Sequence, residues 1–145
     1  MATGDFTVFE EAKAYMIDSG WEAADDIKVA LVTNAVNPTA GDTTPALADY
    51  TQVTPGGNYT AGGISIGTLS ACVSEAAGTM TFDSATNPSW AVHASNPTNA
   101  YWGIVYNDTD AGDAAIGFVE LGGPINMSAA ALTITWHSSG LYTIV

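Results

Sequence analysis

Arginine is missing from this chain, and lysine occurs only as Lys13 and Lys28. Against these stand fifteen carboxylates, which leave a formal net charge of −13 at pH 7. A phosphate backbone is held by Lys and Arg that displace condensed counterions, so no nucleic-acid partner is expected. An anionic membrane surface is disfavoured for the same reason. Cysteine is almost as scarce: Cys72 stands alone, which excludes an intramolecular disulfide and any multi-cysteine metal site. In Ala71-Cys72-Val73 it reads as a small core or edge hydrophobe. Long apolar runs are lacking too, since no stretch approaches the roughly 18 residues of a membrane helix. The opening Met1-Ala2-Thr3-Gly4-Asp5-Phe6 has no basic region leading into an apolar one, so no signal peptide is expected and synthesis in the cytoplasm follows.

What the chain has is 47% hydrophobic residues in 145, enough for one core, and therefore a single domain over 1–145. Its 15 Gly and 6 Pro, with abundant Thr, Ser, Ala and Asn, cut it into short segments suited to strands and turns. Phe6, Phe9, Ala12, Met16 and Ile17 recur near a 3.6-residue period, which predicts a helix over about 5–19, capped by Asp5 and ended by Ser19-Gly20. The β-branched run Ile27 to Thr33 predicts a strand. Residues 34 to 63 form a long Pro- and Gly-rich loop interrupted by a helical turn at Leu47 to Tyr50. A connection of that length is unusual in a compact domain unless it is functional or reaches a neighbour. Strands are then expected at 64–73, 79–83, 90–94, 100–106, 115–121, 132–136 and 141–145, with turns between them. Without intervening helices, this spacing predicts a mainly β chain, an antiparallel β-sandwich or jelly-roll-like barrel with one short N-terminal helix. In Leu132-Thr133-Ile134-Thr135-Trp136 the alternation places the Leu, Ile and Trp on a buried face.

Chemistry has few footholds. His93 and His137 are the only histidines, both in settings that suit a strand or turn surface, and no Gly-x-Ser-x-Gly elbow is present. No catalytic residue and no cofactor are expected. Asp108, Asp110 and Asp113 flank Gly112 with alternate oxygen ligands, a weak candidate calcium loop. In departure from an EF-hand an Asp follows the glycine, and Val119 stands at the twelfth position from Asp108 where a bidentate Glu belongs, so a hairpin turn with Asx hydrogen bonds is the competing expectation. Trp21, Trp90, Trp102 and Trp136 can form either a sugar-binding platform or core.

The order of segments resembles that of a family of small virion structural proteins of tailed bacteriophages. The resembling pieces are the N-terminal helix, Ile27 to Thr33, Tyr59-Thr60-Ala61-Gly62-Gly63, Thr81-Phe82-Asp83, Trp90, Tyr101 to Asp108, Gly117 to Gly122, Leu132 to Trp136 and Ser139-Gly140-Leu141. The resemblance implies a β-sandwich virion component on heads or tails and carries no catalytic residues. With the acidity it leads to the expectation of a capsid decoration (cement) protein on the virion exterior. Its partners would be the major capsid protein and itself, as homotrimer or homodimer. A tail or fibre component and a glycan- or receptor-binding module are the alternatives. Phe6, Phe9, Leu47, Tyr50 and Tyr59, on the helix and the long loop, are the expected assembly contacts.

Overall fold

The computed structural model describes residues 5–18 and 20–145. The chain start and Ser19, the expected helix end, lie outside the described residues, as does the side chain of Ile17. The fold is mainly β and antiparallel. Its centre is a sheet ordered β1 (Phe6–Val8), β8 (Ala115–Ile125), β7 (Ala100–Asn107), β2 (Asp26–Val32), β3 (Ile64–Thr68). A second sheet runs β10 (Tyr142–Ile144), β5 (Thr79–Phe82), β4 (Val73–Ala76), and β6 (Ser89–Trp90) pairs with β9 (Leu132–Thr133).

The alternation of β2 explains the layering. Ile27, Val29 and Leu31 enter the main core together with Ile66 of β3, and Phe82 of β5, Trp90 of β6, Leu132 of β9, and Met127, Ile134 and Trp136 complete it. Ala30 and Val32 face the other way, into a second cluster with Phe9, Ala12, Leu47, Tyr50, Ile104, Tyr106 and Phe118. Both faces of the central sheet are thus covered, which is why β7 and β8 read as nearly continuous apolar runs.

The N-terminus departs from the expected helix over 5–19. Helix α1 spans Ala12–Asp18, and Phe6–Val8 are strand, paired with Val119, Phe118 and Gly117. The residue opposite decides this: a Cβ on Gly117 would lie 2.4 Å from the Phe6 ring and from the Thr7 carbonyl. Only glycine there lets the strand dock, and ladder hydrogen bonds with β8 then outweigh a helical spacing that Phe6 and Phe9 also satisfy.

The 34–63 segment is strapped to the sheet. Leu47 N–H donates to the Asp113 carbonyl (3.0 Å), Ala115 N–H to Pro45 (2.8 Å) and Thr33 N–H to Thr51 (2.8 Å). Its Leu47–Asp49 portion is a 3₁₀ turn, as the sequence suggested. The strand expected at 64–73 is interrupted by one helical turn, α2 (Leu69–Cys72), where Leu69 and Ser70 N–H donate to the Asp25 and Ala23 carbonyls. The expected 90–94 strand shrinks to β6, because the Ala91 carbonyl accepts from the side chain of Asn96.

Candidate functional site

The polar side chains concentrate at the end of the sheet where β2 begins and β7 ends. Asn107, fully buried, donates from Nδ2 to Asp25 Oδ2 (2.8 Å) and accepts at Oδ1 from the N–H groups of Thr109 and Asp110 (3.0 and 3.2 Å). This is the Asx-bonded hairpin the sequence allowed between β7 and β8. Asp26 accepts a short hydrogen bond from the Ser65 hydroxyl, and its N–H donates to Thr109 Oγ1 (2.9 Å).

The three candidate calcium ligands are not brought round a common point. Asp108 is bonded to Lys28 Nζ (2.5 Å) and to the Tyr106 hydroxyl (2.9 Å). Asp110 accepts from Gly112 N–H (3.0 Å), closing the turn on itself. Asp113 sits in the left-handed region, φ 50°, with no side-chain bond joining it to the other two. Among the described residues no group of three or more His, Cys, Asp or Glu is placed to hold a metal ion. Lys28, through its hydrogen bond, holds the Asp108 carboxyl below the usual range, whereas burial and the neighbouring Asp108 and Asp110 push Asp113 up.

The two histidines share one arrangement. His93 Nδ1 accepts from Ser95 N–H and His137 Nδ1 from Ser139 N–H, both at 3.1 Å and both exposed, so each ring is engaged in a local turn. The tryptophans divide. Trp90 and Trp136 are core, Trp21 packs against the core, and Trp102 covers the second cluster while donating to Asn37 Oδ1 (3.2 Å). Trp136 also lines an open cleft of about 250 Å³ with Phe6, His137, Leu141 and Tyr142. Cys72 is buried, and burial pushes its thiol pKa up, the direction opposite to activation.

Of the residues expected at assembly contacts, Phe9, Leu47, Tyr50 and Tyr59 are at most 4% exposed, turned into the chain's own core, and Phe6 is half-buried against Trp136. Their apolar character serves internal packing. Tyr50 also donates to Asp42 Oδ2 (2.7 Å), which ties the outer loop down. The buried hydroxyl of Tyr59 accepts from Leu31 N–H (2.9 Å) and returns a longer bond to the Leu31 carbonyl (3.3 Å).

Sequence reasoning did not single out Asn96. Its side chain, 4% exposed, donates to the Ala91 and Met127 carbonyls (2.8 and 3.1 Å) and accepts from Asn58 N–H (2.7 Å). One residue thereby joins three loops at the end of the sheet remote from the carboxylates. The only sequence signal is Asn96-Pro97, which reads as an ordinary turn. No protein-family model matches the chain, no curated protein matches it, and no solved structure matches its fold.

Proposed function

We propose that this chain is a non-enzymatic structural protein of a tailed-bacteriophage virion, a decoration protein that binds the capsid exterior and strengthens contacts between capsomers. The observation that carries this reading is how the polar side chains are spent. Asn96, Asn107, Asp25, Tyr50 and Tyr106 each tie loop to strand or loop to loop, as suits a rigid building block. The order of segments, which over nearly the whole chain resembles that of small virion proteins, supports it, and so does a charge of −13, which attracts a basic docking surface and is repelled by packaged DNA. Titration of purified chain onto capsids lacking it is the test: binding should saturate at a fixed ratio to capsid subunits and weaken as salt rises. Binding that never saturates, or none, contradicts the proposal. Retention unchanged in molar salt would remove the electrostatic component and leave apolar contacts.

A second reading, a glycan- or receptor-binding module, is favoured by the cleft beside Trp136, where Phe6 and Tyr142 add aromatic surface and His137 a polar edge. Glycan-array binding that Tyr142→Ala abolishes without lowering the melting temperature would support it over the first.

A further inference from the structure

The charges of this molecule are unevenly distributed along the strand axis. At one end, Glu22, Asp25, Asp26, Asp108, Asp110 and Asp113 gather where β2 begins and β7 ends. At the other end, Val32 pairs with Trp102 and bridges to Gln52, while Ala100 pairs with Ile125. The segments at that second end, the loops 51–60 and 91–99 and the end of β8 with the loop after it (122–131), contain no Asp, Glu, Lys or Arg. They are one surface: Asn96 joins all three, Asn58 Nδ2 donates to the Ala91 carbonyl (3.1 Å), and Met127 N–H donates to the Pro97 carbonyl (3.0 Å). Glu120, cross-strand from Trp102 on the sheet face that carries the second cluster, is exposed and lies outside these three segments.

We infer that this uncharged loop end is an interface with a second copy of the same chain. The inference rests on the assembly reading above and names one of its partners. Two bodies of charge −13 repel in most orientations, and apposing the uncharged ends places the acidic ends farthest apart. The eight residues of β7 span about 24 Å, roughly three Debye lengths at physiological salt, so the residual repulsion is screened. The exposed residues there are mainly Ala, Ser, Thr, Asn, Gly and Pro, with His93 among them, and the small side chains lose little rotamer freedom when buried. Asn96 holds their backbones in place before contact, which lowers the ordering cost of association. Val92, 51% exposed, supplies an aliphatic contact at the surface. A two-fold arrangement needs only that this one patch be complementary to itself.

The test is sedimentation of the purified chain across a concentration series, beside V92D, a V92D/A130D double variant and V36D. Val36, 45% exposed, lies on the loop over the other face and serves as the control. The unmodified chain and V36D should associate alike, at low and at high salt. Like charges placed opposite one another should weaken association by about tenfold or more in V92D and further in the double variant, with melting temperatures unchanged. A chain that stays monomeric throughout overturns the inference, as does association that both Asp variants leave intact or that V36D disrupts equally. A monomeric chain that still saturates capsids would overturn this inference alone, and a self-associating chain that ignores capsids would overturn only the decoration proposal.

Discussion

At the scale of single residues, Tyr59 does for β2 what a neighbouring strand would otherwise do. β3 pairs with β2 only over Asp26 to Val29, and beyond it the N–H of Leu31 finds the Tyr59 hydroxyl while its carbonyl also accepts from Val53 N–H. Burial pushes the phenol pKa up to about 12, against the opposing hydrogen bond at Leu31, so it stays protonated at any working pH. Tyr59→Phe keeps the ring and leaves the buried Leu31 N–H without that partner. It should cost about 1–3 kcal/mol, read from urea or thermal unfolding. Lys28 poses the opposite problem, a cation between Asp26 and Asp108. The folded-state pKa of Asp108 is depressed, so its pairing stabilises the fold above the unfolded carboxylate pKa and is lost as pH falls through the folded value. Lys28→Met should therefore lower stability at neutral pH by about 0.2–1 kcal/mol, the range of partly exposed pairs. The difference from the unmodified chain should close in acid. Melting curves from pH 7 downward check this, and a deficit that persists undiminished below the carboxylate range would assign the loss to packing instead.

At the scale of elements, the C-terminal segment tests how the main core is closed. Leu132, Ile134 and Trp136 are buried and Thr133 and Thr135 are half-buried, the alternation their sequence predicts, although the ladder itself covers only β9. Trp136→Ala should cost about 3–5 kcal/mol, a large part of the roughly 5–15 kcal/mol typical of a domain, while Thr135→Ala should stay within about 0.5 kcal/mol. Thermal melting of the pair separates these outcomes, and an unchanged melting temperature for Trp136→Ala would contradict its place in the core. Such segments were legible because burial of one face imposes period two, and the β2, β5, β7 and β8 runs were legible because β-branched and aromatic residues crowd between turn signals. Phe6 to Val8 were not, since a spacing of three between phenylalanines fits a helix, and Gly117, which admits the strand, lies far along the chain. The long loop was placed correctly in sequence, but whether Leu47, Tyr50 and Tyr59 face a neighbour or their own sheet depends on a second apolar face of β2 and β7. Alternation alone does not show which layer covers that face. Asn96 was hidden for a related reason: its partners come from loops 31 and 38 residues away.

At the scale of the whole molecule, a doubly covered sheet carries carboxylates at one end and uncharged, tightly tied loops at the other. Such a body can meet a basic surface with its acidic end and a like-charged copy with its neutral end, which is the combination required of a protein that both docks on a shell and joins with itself. That proposal is tested most directly by counting this chain against the major capsid protein in purified particles, by quantitative mass spectrometry of intact virions. A decoration protein should be present in hundreds of copies, in a simple ratio to the capsid subunits. A handful of copies per particle would place it in the tail, and its absence from particles would contradict a virion role altogether.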